Sequence, residues 1–490
     1  MEMNWTQSLR YVERYRWIEN AASNGKLRPI CIVISTNRLM DIHSFLETLT
    51  NSLGDSNLLR CKSSYGTPLV KIRLDLFDIP HSISDIHETI ELFPDIIVDM
   101  SPPENSNLSK SNQGDSVSKI SPSSLQISRK RQLILAREEV QNLTNPIIVL
   151  MDDDLTFDNL LIKDNTIFSD FPFSYLHEIY CLNRENPSLD VALGGVTGSP
   201  PLPSSSSLLI SLLDASSKIE VQEKSPLRWK NPDYYYDLSD LRDSWDSWIE
   251  PTWYFSETSS LSVSEKILQS ILFSGPIRRP LVLVKDPIDS NLTHGYIRGG
   301  NTVVFSHIWL QILEHPNIDR RADTIWALTI HHLGGNVMHM PYTLRHRRTS
   351  NEITNSSIIS RMHDDLFGSS LQRAYVKKGD FNDLISIFQE RNTRQIEVID
   401  NCKKLVDSLM KIPFSQTKEH GKYSFWALSI KERLELLTRI RMSISSLRYS
   451  LSHNLSNYHK SQLERMHLYA DAYLFRSEIK YNQMRAEENS

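Results

Sequence analysis

Cysteine is scarce in this chain, with four residues among 490. Cys31, Cys61, Cys181 and Cys402 stand far apart and in no metal-binding spacing, so nothing points to a zinc site. Cys31 lies in an apolar run and reads as a small core residue. Reduced thiols in a cytoplasmic protein are the simplest account, and a sequon such as the one at Asn142 is then incidental. Long apolar runs are missing too, so no stretch reads as a membrane span. The opening "MEMNWTQSLRYVERYRW" is charged and aromatic, unlike a secretory signal. No excess of positive charge exists either: 54 Lys and Arg face 59 Asp and Glu, a net charge of −5. That excludes the broad basic field that drives nucleic-acid binding, although local basic clusters can still hold phosphates.

What is present is an ordinary globular composition, 40% hydrophobic and 23% charged. At roughly 150 residues per unit, the length suggests two to four folding units. A helix over "TQSLRYVERYRWIENAAS" ends near Asn24-Gly25. Then Ile30 to Ser35 reads as a buried strand, Thr36-Asn37-Arg38 as a polar turn, and Met40 to Leu53 as a helix. Further strands fit residues 68–77, 95–100 and 190–198. Residues 101–124 are Ser-, Asn- and Pro-rich and read as a loop insertion. The pattern also breaks up from about 200 to 280. Strand-like "RPLVLVK" and "GYIRGGNTVVFS" follow, then helices near 308–314 and 322–333, a strand at "NVMHMPY" and a basic turn at "TLRHRRTSN". Beyond about 350 only helices are expected, over 358–376, 381–411 and 428–484. In the last of these Ile430, Leu434, Leu437, Ile440, Ile444, Leu447 and Leu451 form one apolar stripe.

The chemistry-bearing stretch is "NPIIVLMDDDLTFDNL". Its apolar half is a core strand, and Asp152, Asp153 and Asp154 follow directly. Ligands in open α/β sheets bind beyond the carboxyl ends of the strands. Alternation along an extended chain sends Asp152 and Asp154 to one side and Asp153 to the other. Convergent carboxylates are tolerable when a hard cation such as Mg²⁺ or Mn²⁺ neutralises them. A solvated acidic turn capping the next helix is the other reading. Ahead of that strand, "ISRKRQL" sets Arg129, Lys130 and Arg131 at a helix start, where arginines and backbone N–H groups can meet a phosphate. A solvated basic face is the alternative there.

The order "PICIVISTNR", "IIVDMSPP", "SRKRQLILA", "IIVLMDDDLTF" resembles nucleotide-sugar glycosyltransferases of the GT-A fold, above all the inverting family 2. Ser35 stands where that family usually has Pro, and Lys130 where it has Asn. The resemblance implies an α/β domain with a mixed, mainly parallel Rossmann-like sheet flanked by helices. It implies that Thr36 and Arg38 line a nucleotide pocket, that Asp99 contacts the base and that Arg129 lies near the diphosphate. Asp152 and Asp154 would be the metal-binding Asp-x-Asp, with Asp152 and Asp153 also close to the donor. The stretch 297–348 then resembles the acceptor half: Gly299-Gly300-Asn301, Asp323 at a helix start before Trp326, Gly334-Gly335, and a strand ending in His346. Galactofuranosyl transferases of this family share the triple Asp, a Trp near the base and a late histidine. By that likeness Asp323 is the general base and His346 a third metal ligand, with Mn²⁺ or Mg²⁺ as cofactor. A helix-capping acid in a salt bridge and a surface histidine are the plainer readings of the same two residues.

The residues explain such roles. An acceptor hydroxyl is a poor nucleophile until a carboxylate takes its proton. One base opposite the leaving group gives inversion. A cation with arginines stabilises the departing diphosphate. His331, His332 and His339 read as packing residues, and Gly194-Gly195 as a close backbone approach, since no GxGxxG surrounds them. The aromatics Trp229, Tyr234 to Tyr236, Trp245, Trp248, Trp253 and Tyr254 read mainly as anchors of the insertion, with Glu257 in reserve as an acceptor contact.

Three functions are therefore in play. The first is a metal-dependent, inverting transferase moving a sugar from a nucleoside-diphosphate donor, UDP favoured, to an unidentified hydroxyl. The second is a nucleotidyltransferase, against which the absence of a Gly-rich loop after the first strand argues. The third is a non-catalytic scaffold of the same fold. The expected layout is an N-terminal helix (1–27), a GT-A domain (28–350, with the two insertions) and an all-α C-terminal domain (351–490) through which the chain could self-associate.

Overall fold

A computed structural model of the chain describes residues 5–36, 41–77, 84–100, 124–163, 166–198, 227–228, 252–253, 300–318, 321–347, 355–410, 430–453 and 456–488. Arg38, Glu257, "RPLVLVK" and most of the aromatic insertion lie outside those residues.

The strands are β1 (Ile30–Thr36), β2 (Val70–Leu76), β3 (Ile97–Met100), β4 (Ile147–Met151), β5 (Leu155–Thr156), β6 (Asn159–Lys163), β7 (Thr166–Asp170), β8 (Val191–Gly198), β9 (Leu227–Arg228), β10 (Thr252–Trp253), β11 (Asn301–Val304) and β12 (Val337–His346). Eight of them form one sheet in the order β3-β2-β1-β4-β11-β8-β12-β5. β1, β2, β3 and β4 run parallel, β11 is antiparallel between β4 and β8, and β12 is parallel to β8. The fold is thus a mixed, mainly parallel α/β sheet flanked by helices, with an all-helical C-terminal region.

Alternation sorts the strand residues into two layers. Ile30, Ile32 and Ile34 of β1, with Ile147 and Val149 of β4, face one core together with α2 (Ile42–Leu53) and α5 (Tyr175–Glu185). Cys31, Val33, Ile148 and Leu150 face the other, beneath α4 (Ser124–Asn142). α2 is amphipathic at the helical period: Ile42, Phe45, Leu46, Leu49 and Leu53 are buried, and Asp41 caps it by accepting from the Ser44 N–H at 3.0 Å. α1 (Trp5–Ser23) is fastened to α5, with Arg14 donating to Glu178 at 2.8 and 3.1 Å and Tyr15 donating to the same carboxylate at 2.5 Å.

The remaining helices are α3 (Ser84–Glu91), α6 (Ile308–Ile312), α7 (Ala322–His332), α8 (Asn355–Lys377), α9 (Phe381–Met410), α10 (Ile430–Ser452) and α11 (Asn457–Glu488). The second core runs on into the helical region. Leu133, Trp309, Trp326, Leu366, Phe367, Phe388, Leu463 and Tyr473 belong to one buried cluster.

Two expectations need correction. The helical stretch 428–484 is two helices, α10 ending at Ser452 and α11 starting at Asn457. Its stripe is an internal seam: Leu437, Ile440, Ile444, Leu447 and Leu451 are buried while Leu434 is 41% exposed. The basic turn "TLRHRR" is instead the end of β12, which continues to His346 past a register shift between Met340 and Thr343. Pro341 has no N–H for a ladder, so the strand bulges there and resumes.

Candidate active site

The acids of "MDDDL" leave β4 at the middle of the sheet. The chain turns at Asp153-Asp154 before β5, so strand alternation stops at Asp152 and the three carboxylates meet three different elements. Asp152 turns to the α4 side and is ion-paired with Arg129. Asp153 accepts a hydrogen bond from the Thr36 hydroxyl at the end of β1. Asp154 faces β12, with its Oδ1 3.3 Å from His346 Nε2.

Backbone geometry supports this spread. The Asp152 N–H donates to the Gly300 carbonyl at 2.8 Å. Gly300 has φ +89°, and a Cβ there would sit 2.9 Å from Asp152 Oδ2, so only glycine lets β11 approach the acid this closely. Gly194 likewise packs against the Asn301 side chain, which a Cβ would overlap.

Arg129 is the hub of the helical side. Its guanidinium is ion-paired with Asp152, lies 3.5 Å from Asp323 Oδ1 and donates to Gln132 Oε1 at 3.1 Å. Burial works against its charge, but the carboxylates of Asp152 and Asp323 outweigh that and hold the proton more firmly than usual. Gln132 is itself fixed by donating to the carbonyls of Val33 and Met151, both at 2.8 Å. Asp323 stands in the first turn of α7, behind Arg321, which adopts a left-handed φ of 69° at the cap. Non-glycine residues held there store strain of about 1–3 kcal/mol, a frequent mark of functional turns. The buried His315 reaches Asp323 Oδ1 with Nε2 at 2.9 Å.

On the strand side Asp158, 1% exposed, collects Arg345 at 2.7 Å and Arg347 at 3.3 Å together with the hydroxyls of Thr156 and Ser169 at 2.5 Å. Burial raises its pKa, but the hydrogen bonds from Ser169, Thr156 and Arg345 bring it down to about 2. The two arginines that flank His346 in sequence are therefore held by Asp158.

Of the residues singled out from sequence, Thr36, Arg129, Asp152, Asp153, Asp154, Asp323 and His346 are brought to the β4 end of the sheet. Asp99 is not. It lies on edge strand β3, three strands from β4 and so about 14 Å away. Lys71 at 3.1 Å and Arg73 at 2.9 Å hold it. Trp326 is core, 4% exposed. His339 is buried in β12, and His332 packs edge-on to Tyr375 with centroids 5.3 Å apart.

Sequence reasoning missed four residues, Asp158 and three more. Asp75, 1% exposed at the end of β2, accepts from Ser35 at 2.7 Å and is clasped by Arg131 at 2.6 and 2.7 Å. An acid inside the apolar run "IRLDLF" was its signal. Gln132 and His315 carry no such signal.

Among the described residues no group of three His, Cys, Asp or Glu side chains is arranged to hold one metal ion. The Asp154–His346 pair does fit part of such a site. Adjacent ligand atoms of an octahedral ion, each about 2.1 Å from it, stand about 3.0 Å apart, close to the separation found here.

No protein-family model matches the chain, and no curated protein matches it in sequence. Solved structures are similar to it, glycosyltransferases among them. The mannosyltransferase PcManGT from Pyrobaculum calidifontis, in complex with GDP-Man and Mn²⁺, matches at 9% identity and a TM-score of 0.35 over 97% of this chain and 94% of that one. S. aureus TarS in complex with UDP-GlcNAc matches at 9% identity and a TM-score of 0.34, over 86% and 92%. The same protein with UDP matches at 9% identity and 0.30, over 87% and 90%. No described helix is long and apolar enough to cross a membrane.

Proposed function

We propose that the side-chain cluster at the end of β4 transfers a sugar from a nucleoside-diphosphate donor to an acceptor hydroxyl. The observation that carries this reading is the division of labour among its acids. Asp154 stands 3.3 Å from an imidazole, while Asp323 sits apart from the triplet on α7. Group transfer from a diphosphate needs those two things separately: a place for a cation and a base that is not one of its ligands.

In this reading Asp154 and His346 hold Mg²⁺ or Mn²⁺, which on binding would offset the negative charge of the leaving diphosphate. Asp152 is the remaining acid of the Asp-x-Asp. Arg129, set between Asp152 and Asp323, balances their charge and holds both carboxylates in place on the diphosphate side. Thr36 orients Asp153 at the nucleotide side, where Arg38 follows in sequence. Asp323 takes the proton of the acceptor hydroxyl, with His315 and Arg129 holding its carboxylate in one orientation. One base on one side of the sugar makes the transfer inverting.

The test is a panel of UDP- and GDP-sugars assayed for nucleoside diphosphate release with Mn²⁺, with Mg²⁺ and after EDTA. Release from at least one donor, lost with EDTA and regained with the metal, is expected, with UDP-sugars the first to try. If no donor binds or turns over under any of these conditions, the reading is wrong.

A further inference from the structure

α11 is apolar on two sides. Leu463, Ala470 and Tyr473 are buried against the rest of the chain. On the opposite side Leu468 is 62%, Phe475 63% and Ile479 42% exposed, with the small, exposed Ala472 between them. These four positions are spaced by four, three and four residues, which is the seam of a two-stranded coiled coil. Three large side chains left in water along one line mark an association surface.

The charges beside the seam say what lies on it. Asp471 precedes Ala472 and Arg476 follows Phe475, and both are exposed. In a parallel, in-register pair of α11 helices, a residue on one flank of the seam faces the residue five positions further along the other chain. Asp471 then faces the partner's Arg476, and the two-fold axis makes that ion pair twice. In an antiparallel pair, residues of the same flank meet instead, setting Asp471 against Glu478 twice. Like charges there oppose the arrangement.

We propose that the chain forms a two-fold dimer through a parallel coiled coil of α11, with Leu468, Ala472, Phe475 and Ile479 at its seam. The seam spans twelve positions, about 18 Å of helix, so the interface is small and the dimer dissociates on dilution. It also sits behind the candidate site. On its buried side α11 holds the loop that carries His315: Tyr473 donates to the Glu314 carbonyl at 2.7 Å, and the Asn317 N–H donates to the Tyr469 hydroxyl at 2.7 Å.

Sedimentation of the full chain over about 1–100 µM tests the dimer. The expected mass moves from the 56.6 kDa of one chain toward twice that. Phe475→Glu, at a position already in water, abolishes the dimer without changing the melting temperature. Asp471→Arg weakens it about tenfold, and adding Arg476→Asp restores it to within about twofold. Ala472→Cys places two thiols opposite each other only in the parallel register, so mild oxidation gives a covalent dimer that the wild type does not. A wild type that stays monomeric throughout the range overturns the proposal. So does a dimer that the double charge reversal fails to restore, or one that does not cross-link at position 472.

Discussion

One half of the candidate site is built from helices and the other from strands, and they treat an aspartate differently. On the helical side Asp152 and Asp323 share Arg129, and His315 braces Asp323. Charge there is balanced within the chain. On the strand side Asp154 faces an imidazole, and the two arginines beside His346 are drawn to Asp158. A guanidinium cannot be deprotonated in a protein, whereas an imidazole can be neutral and ligate a cation. Two acids that look equivalent in "DDD" therefore have different uses. Asp152 steadies a permanent positive charge, and Asp154 is the acid set beside a second candidate ligand.

The largest effect should come from the acid that lies outside the triplet. Asp323→Asn keeps the shape and the contact with Arg129 but cannot accept a proton. Transfer should fall about a thousandfold in kcat with little change in the donor KM. Full activity in this variant would remove Asp323 as the base and leave the helical half without a catalytic role.

Metal affinity sharpens the contrast between the outer acids. Asp154→Asn and His346→Gln should each weaken activation by Mn²⁺ at least about tenfold, more than Asp152→Asn does. Titrating Mn²⁺ against transfer rate for the three variants ranks them. If Asp152→Asn proves the most damaging, Arg129 does not occupy that acid when substrate binds, and the two halves are more alike than their contacts indicate.

Much of this arrangement is legible in the sequence, for a physical reason. Residues 30–36 and 147–151 are strands buried on both faces, and such strands are written as near-continuous apolar runs that end where the polar site begins. An acid triplet at that edge stands out. What the sequence hides depends on partners remote along the chain. Asp158 reads as an unremarkable acid in "TFDNL" until β12 brings Arg345 and Arg347 to it, and His315 sits in a loop with no period to place it. The two halves of the long C-terminal helical stretch read as one because both are strongly helical on either side of the break. The exposed line on α11 is harder to see than the stripe on α10, which is internal but the more regular of the two.

Asp158 offers a stability test of the strand half. Its carboxylate is buried, while Arg345 and Arg347 keep about a quarter to a third of their side-chain surface in water. Asp158→Asn should then cost about 2 kcal/mol, below the full cost of breaking a wholly buried pair. The pH dependence has a definite sign. The folded-state pKa of about 2 lies below the ordinary aspartate value of about 3.9, so this stability is fully present above about pH 4 and is lost as pH falls toward 2. Acid unfolding of the variant should be less steep across that window than that of the wild type. Equal slopes would mean that the arginines find another partner once Asp158 is neutral.

The smallest effect expected is at His315. Its Nε2 lies 2.9 Å from Asp323 Oδ1 and its Nδ1 lies 3.1 Å from the Pro316 carbonyl. A carboxylate only accepts, so the ring must act as donor toward Asp323. It thereby fixes the orientation of the acid, which makes His315 a positioning residue. Gln keeps a donor of similar reach, so His315→Gln should retain transfer within about threefold, whereas His315→Ala should lower kcat about tenfold. Donor KM should stay unchanged in both, because neither variant touches Asp154, His346 or Thr36. A loss in the Ala variant that appears as weaker donor binding would assign the imidazole to the nucleotide side, and the separation between the helical and strand halves would have to be redrawn.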